Sequence, residues 1–148
     1  MGRDRAPLRR ALRNVRRGRL QRSLALAAGL STLPLAFEIY LEHYKASFGD
    51  IWEWAPIALT PPLLASGVAA ALPGGEGAAR RALPLSGALY AGCGLAGTVL
   101  HARGVARKPG GWRLWSYNLP MGPPISAPGL MAMVGGMGLL AAVLRREK

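Results

Sequence analysis

The two histidines of the chain are the first residues whose type and spacing could carry chemistry. His43 and His101 each follow a long apolar segment, in the tetrapeptides HYKA and HARG. Histidines on two helices of a bundle can ligate a b-type haem at its axial positions. Lys45, Arg103 and Arg113 would then meet the haem propionates. The plainer alternative is a pair of histidines that hydrogen-bond loop backbone at the membrane surface.

Two carboxylates lie close to the first histidine in the sequence. Glu38 and Glu42 are four residues apart, so they share a helical face. Glu38 is expected more than one turn inside the membrane, where an ionisable group indicates a functional site. Its expected partner is a histidine or a basic residue of an outer loop, and the alternative is a buried structural ion pair or hydrogen bond. Together with His43 and His101 the carboxylates could form a proton relay. No spacing typical of a metal site is present, so none is predicted.

A third candidate region is the segment 110–124, which reads GGWRLWSYNLPMGPP and mixes aromatic, basic and turn residues. We expect it to be re-entrant or to lie in the membrane interface, stiffened by its prolines. Tyr117 and Asn118 are its candidate polar groups above a site between the helices. The alternative is a rigid connector without a ligand.

Four apolar segments must position these residues. The chain has 148 residues, of which 51% are hydrophobic, and a helix needs about 20 apolar residues to cross a bilayer. We expect an all-α, integral membrane four-helix bundle because short loops make consecutive helices antiparallel neighbours. In the second segment Pro61 and Pro62 predict a kink or a late helix start. The predicted segments are Leu24–Tyr44, Ala55–Leu72, Leu83–Ala102 and Ile125–Leu144, and residues 73–82 are expected to form a glycine-rich turn.

The distribution of positive charge predicts the orientation. Of the 19 lysines and arginines, 14 fall on the side of the two termini and of the middle loop. Because basic loops stay in the cytoplasm, both termini are expected there, in a multi-pass protein of a bacterial inner membrane. Residues 103–113 carry four positive charges on the other side, where lipid phosphate is the expected contact.

Residues 1–22 form a basic arm in front of the membrane domain, residues 23–148. The arm contains nine arginines and one aspartate, and residues 7–22 have the pattern of a basic amphipathic helix. We expect this helix to lie on anionic lipid headgroups. Binding to nucleic acid is not expected, because the arm lacks interleaved aromatic residues.

The membrane domain shows signs of an internal repeat. The two histidine tetrapeptides are 58 residues apart, and Pro61-Pro62 precedes Pro123-Pro124 by 62 residues. This predicts two duplicated helical hairpins, residues 23–72 and 83–144, as a parallel repeat about an axis along the membrane normal. The first and third helices, with their histidines, would then face each other near that axis.

Small residues recur at intervals of four in the third and fourth segments. Examples are Ala88-x3-Gly92-x3-Ala96, Gly87-x3-Ala91 and Ala132-x3-Gly136. Such patterns let helices approach closely in lipid. One face is expected to pack inside the bundle, and a second face is available to a protein partner or to a second copy.

The sequence predicts location better than activity. It contains no GxxxxGK[ST], GxSxG or HExxH motif and only one cysteine, so a catalytic role is not favoured. The leading hypothesis is a non-catalytic accessory or anchor subunit of a membrane complex. Two alternatives stay open: a haem b-binding, quinol-reactive redox subunit that uses His43 and His101, and a small-solute carrier with Glu38 as its ionisable site. Which cofactor, if any, is bound is left open, and haem b is the named candidate.

Overall fold

Four long apolar helices make up the fold, as the composition predicts. The computed structural model describes residue 14 and residues 17–144 of the chain. Most of the predicted amphipathic helix of residues 7–22 therefore lies outside the described residues, as do the basic residues 145–148. No strand occurs among the residues described. Four helices are long and apolar enough to cross a membrane, and we call them the first to fourth spans: Arg19–Lys45, Ile51–Ala71, Ala78–Ala106 and Ser126–Val143.

The four spans form a bundle in which chain neighbours pack side by side. The third and fourth spans make the most extensive contact, followed by the first with the second and by the first with the fourth. The second span also packs on the third, so the first and third spans occupy diagonal corners. We call the end with His43 and His101 the histidine end, and the end with residues 72–77 the turn end.

The second span is interrupted where its prolines lie. Pro61 and Pro62 have no N–H group to donate, and they occupy the first turn of a new helix, where that loss costs little. The preceding helix ends at Ala58 with Leu59 as its C-cap, so the span is interrupted where a kink or a late helix start was predicted. The span consists of a 3₁₀ turn and two helices, which are Ile51–Trp54, Ala55–Ala58 and Thr60–Ala71.

The predicted glycine-rich turn of residues 73–82 is half helical. Gly74 has φ +78° and belongs to the turn. Residues Ala78–Ala82 instead form a π-helical turn that continues into the helix Leu83–Ala106, and the Leu83 N–H donates to the Ala78 carbonyl. The prediction was wrong here because the sequence AARRA consists of strong helix formers, which outweigh the glycines before it.

Small residues allow the helices of each hairpin to approach closely. A Cβ atom on Gly67 would lie 2.5 Å from the Ala25 carbonyl oxygen across the first hairpin. In the second hairpin a Cβ atom on Gly94 would lie 2.4 Å from the Ala132 nitrogen. Because nothing larger than hydrogen fits at either position, backbone-to-backbone van der Waals contact holds both hairpins.

Candidate functional site

The two histidines each tie the end of one span to the segment that opens the next. His43 Nδ1 lies 3.0 Å from the Glu53 carbonyl oxygen. His101 Nδ1 lies 2.7 Å from the Pro124 carbonyl oxygen. Both side chains are half-buried. The plainer prediction, hydrogen bonding of both histidines to loop backbone, describes this geometry.

These contacts determine which ring nitrogen carries the proton. A main-chain carbonyl can only accept a hydrogen bond, so Nδ1 of His43 and Nδ1 of His101 must each carry a hydrogen. In the neutral ring Nε2 is then left as an acceptor. A histidine held through Nδ1–H has the orientation in which Nε2 can ligate a metal or accept a proton.

The cations that were predicted to meet an anion differ in their surroundings. The Lys45 ammonium group forms an ion pair with Glu42 on the same helix. It is therefore neutralised locally and is a poor candidate for a propionate contact. Arg103 and Arg113 are exposed at the histidine end, where either could meet lipid phosphate or another anion.

The Glu38 carboxylate points away from the bundle. Its residue is exposed, and within residues 17–144 its side chain has neither a hydrogen bond nor an ion pair. The expected direct pairing of Glu38 with a histidine or an outer-loop cation is not present among residues 17–144. Glu38 lies seven residues before Lys45, the last helical residue, and so about 10 Å along the helix from its end. The Glu38 carboxylate stabilises the charged form of Lys45 electrostatically, although it forms no direct ion pair with it.

Aromatic rings cluster at the histidine end of the first hairpin. Phe48 stacks on Trp54 with ring centroids 4.2 Å apart, and the rings of Tyr40 and His43 lie 5.6 Å and 6.0 Å from that of Phe48. The Phe48 main chain is in the left-handed region, with φ +45°. The cluster therefore fixes the tight turn after the first span, next to the main-chain contact of His43.

The candidate polar residues of the loop have different roles. Asn118 is buried, and its side-chain amide donates to the carbonyl oxygens of Pro109 and Gly111 at 3.0 Å and 2.8 Å. It thus holds the loop together, as the connector interpretation requires. Tyr117 is 64% exposed and contributes to an apolar outer surface with Trp115. Two short helices, Gly111–Leu114 and Trp115–Asn118, form this region.

Some polar groups that the structure brings together were missed from the sequence. Ser66 and Ser86 join the second and third spans with their hydroxyl oxygens 2.7 Å apart. Tyr90 is fully buried, and its hydroxyl has no hydrogen bond of ordinary length, although Thr60 is its polar neighbour. Tyr90 could have been singled out from the sequence, because it is the one tyrosine within the third span. Each of the paired serines directly precedes a closely packed glycine, in Ser66-Gly67 and Ser86-Gly87, and this shared dipeptide was the signal that could have found them.

The small-residue patterns of the third span separate into two faces. Gly87 and Gly94 face the fourth span, in close contact with its backbone. Ala88, Gly92 and Ala96 are exposed on the outside of the bundle, and a Cβ atom on Gly92 would meet nothing within 4 Å. The sequence predicted two small-residue faces, and the second of them lies exposed on the outside of the bundle.

The described residues hold no group of three or more histidine, cysteine, aspartate or glutamate side chains placed to bind a metal ion. No charged residue of 17–144 is fully buried, although Arg22 Nε and one carboxylate oxygen of Glu53 are shielded from solvent. The fully buried polar residues are neutral: Gln21, Thr32, Thr60, Ser66, Ser86 and Asn118. Neither a protein-family model, nor a curated protein, nor a solved structure matches the chain.

Proposed function

We propose that this chain is a small polytopic inner-membrane protein that serves as a non-catalytic accessory or anchor subunit of a membrane complex. The observation that carries the proposal is the outward carboxylate of Glu38. A charged group on a lipid-facing surface costs several kcal/mol unless it is paired or reaches the interface. No group of residues 17–144 pairs with it. A basic or hydrogen-bonding residue on a helix of another subunit would remove that cost.

The exposed small-residue stripe supports the same proposal from another side of the bundle. Ala88, Gly92 and Ala96 leave a shallow track along the third span, into which a partner helix can pack closely. The proposed orientation places the termini and the turn end in the cytoplasm, because most of the basic residues lie there.

A photo-crosslinking amino acid at Phe37 tests the proposal in native membranes. Phe37 is 65% exposed and adjoins Glu38, and Met133, which is 70% exposed on the fourth span, is the matched control position. We expect an adduct of one defined mass from Phe37 and none from Met133. Glu38→Leu should abolish the adduct without destabilising the isolated protein, because Glu38 has no hydrogen bond or ion pair to lose among residues 17–144. Adducts of random mass, or only of twice the chain mass, would contradict an accessory role in a larger complex.

A second candidate is a haem b-binding redox subunit. It is favoured by the two Nδ1 hydrogen bonds, which leave Nε2 of His43 and Nε2 of His101 available as axial ligands. Haem would supply one-electron chemistry, and the histidines would hold it between diagonal spans. The test is a visible spectrum of the purified protein, expressed with haem supplied. A Soret band that disappears in both His43→Ala and His101→Ala supports this candidate, and a colourless folded protein contradicts it.

The carrier alternative gains no support, because Glu38 lies outside the bundle and the buried polar residues of the described chain are uncharged.

We also propose that the two hairpins are copies of one unit. Gly29 and Gly87 are separated by the same 58 residues as His43 and His101, and each glycine packs on the second helix of its own hairpin. In an experimental structure, residues 23–72 should superpose on residues 83–144 by a rotation of about 180° about the membrane normal. A rotation that aligns the glycines but separates the histidines would contradict the duplication.

A further inference from the structure

A groove opens between the second and third spans near the turn end. Its volume is about 440 Å³, and its surface is almost entirely apolar. The groove exists because small side chains face each other where two helices would otherwise close the gap. Leucines from the third span form one wall. The residues that shape the groove are Ala65, Ala69, Ala78, Ala82, Leu85 and Leu89.

The floor of the groove has no hydroxyl proton to offer. Ser66 and Ser86 meet there at 2.7 Å, and the Ser86 hydroxyl lies 2.8 Å from the Ala82 carbonyl oxygen. The Ser66 hydroxyl also lies 3.3 Å from the Leu63 carbonyl oxygen, so whichever serine donates to the other, the second serine donates to a main-chain carbonyl. Both protons are used within the protein, so the groove suits an apolar occupant.

Two exposed arginines adjoin the turn end of the groove, which we call its mouth, although neither is among the residues that line the groove. Arg80 and Arg81 are exposed and lie in the π-helical turn between two residues of the groove, Ala78 and Ala82. Neither arginine forms an ion pair with another described residue, and the nearby Glu76 is 4.0 Å from Arg22. The third span also begins here, so the positive end of its helix dipole points the same way. The two arginines and the helix dipole would together stabilise an anionic group at the mouth.

The length of the groove distinguishes between a lipid chain and a partner helix. From Ala78 to Leu89 the third span rises about 16 Å, at roughly 1.5 Å per residue. This matches one leaflet, about half of the 30 Å hydrocarbon core. An acyl chain spans one leaflet, whereas a transmembrane helix of a partner would need a track through both.

We propose that this groove binds one anionic phospholipid, with an acyl chain along the alanines and the phosphate at Arg80 and Arg81. The site is distinct from the headgroup contacts expected of the arm, residues 1–22, because it binds the acyl chain of the lipid as well as its charged phosphate. It is also independent of the proposed subunit role, since Glu38 lies on the first span, which does not line the groove.

Native mass spectrometry of the full chain tests the proposal, after release from nanodiscs that contain equal amounts of phosphatidylglycerol and phosphatidylcholine. We expect one phosphatidylglycerol molecule to be retained preferentially. The double variant Arg80→Gln/Arg81→Gln removes the charge at the mouth, and Ala65→Leu fills the groove without changing any charge. Each should reduce the retention at least about fivefold, because one basic residue near a lipid surface is worth about a fivefold change in affinity and the leucine side chain takes the volume of the acyl chain.

Matched controls separate the site from general effects. Arg103→Gln/Arg107→Gln removes two positive charges at the histidine end, and Ala88→Leu enlarges an exposed alanine of the third span that does not line the groove. Both should retain the lipid as the wild type does. The arm is intact in every variant, so its arginines contribute equally throughout.

Three outcomes would overturn the proposal. The first is equal retention of phosphatidylglycerol and phosphatidylcholine by the wild type. The second is that the arginine variant loses the lipid while Ala65→Leu retains it fully. Binding would then depend on headgroup electrostatics and not on the groove. The third is a protein adduct from a photo-crosslinker at Ala65. Because Ala65 is exposed, its substitution should preserve the fold, and Ala69→Leu, with the same expected loss, serves as a second groove-filling variant.

Discussion

The ring of Phe48 lies 4.2 Å from the ring of Trp54 and within 12° of parallel, although the Phe48 main chain has φ +45°. A residue with a Cβ atom pays about 1–2 kcal/mol in this left-handed region. The ring stack and the hydrogen bond from the Phe48 N–H to the His43 carbonyl, at 3.0 Å, hold the strained turn. The first hairpin thus stores strain beside the main-chain contact of one of its candidate histidines.

This relationship predicts that Phe48→Ala and Phe48→Gly differ in stability. Both variants lose the stack, which is worth about 0.5–1.5 kcal/mol beyond its buried area. The glycine variant alone also loses the strain, so it should be more stable than the alanine variant by about 1 kcal/mol. The measurement is the free energy of unfolding in mixed detergent micelles. Equal stability of the two variants would show that the main-chain conformation at Phe48 costs nothing.

Two glycines on one helix predict opposite effects of the same substitution. Gly94→Ala would place a methyl group 2.4 Å from the Ala132 nitrogen and 2.7 Å from the Pro128 carbonyl oxygen. Forcing these backbones apart should cost about 1–3 kcal/mol. Gly92→Ala adds the methyl group in open space and should be neutral or up to about 1 kcal/mol stabilising. Unfolding of both variants in the same micelles checks the difference, and a similar cost at both positions would contradict the packing of the third span on the fourth.

The four spans could be predicted because the hydrocarbon core sets their length and composition. Which face of each span looks inward could not, since leucines suit lipid as well as a core. In the first span Leu26, Leu30 and Leu33 are exposed, while Ala25 and Gly29 are buried. In soluble proteins hydrophobic periodicity shows which face of a helix is buried, and in these spans it gives almost no such indication.

The outward position of Glu38 escaped prediction for the same reason. Its adjacent residues Phe37 and Ile39 are both apolar, so its depth could be estimated from the helix length but the direction of its side chain could not. The histidines were easier, because they sit at helix ends, where the next segment supplies unpaired carbonyl groups. The ion pair between Lys45 and Glu42 was also accessible from their three-residue spacing.

The hydrogen bond between Ser66 and Ser86 predicts a measurable coupling between the second and third spans. A double-mutant cycle with Ser66→Ala and Ser86→Ala should give a coupling free energy of about 0.6 kcal/mol, the typical size of such bonds in membranes. Thr98→Ala is the control, because the Thr98 hydroxyl donates to the Gly94 carbonyl of its own helix and to no other group among residues 17–144. Its effect should add to that of Ser66→Ala. A cycle between the serines that is additive within error would show that the hydroxyl groups do not meet.

The histidine contacts predict an uncommonly specific proton position. At alkaline pH, where imidazole is neutral, both rings should carry hydrogen on Nδ1, because the Glu53 and Pro124 carbonyl oxygens can only accept. Nitrogen-15 NMR of the histidine-labelled protein should then show two Nδ1–H rings, with Nε2 unprotonated in each. A histidine that exchanges rapidly between tautomers would lack its carbonyl partner.

The same spectra separate a structural role of each histidine from ligation. Asparagine can donate from a position close to that of Nδ1 but has no group in place of Nε2. His43→Asn and His101→Asn should therefore retain more of the stability than the alanine variants, by about 1 kcal/mol, the usual worth of one hydrogen bond. If haem binds, both asparagine variants should still lose the Soret band, because the ligating nitrogen is gone. Full stability of His43→Ala and His101→Ala would instead show that neither main-chain contact supports the fold.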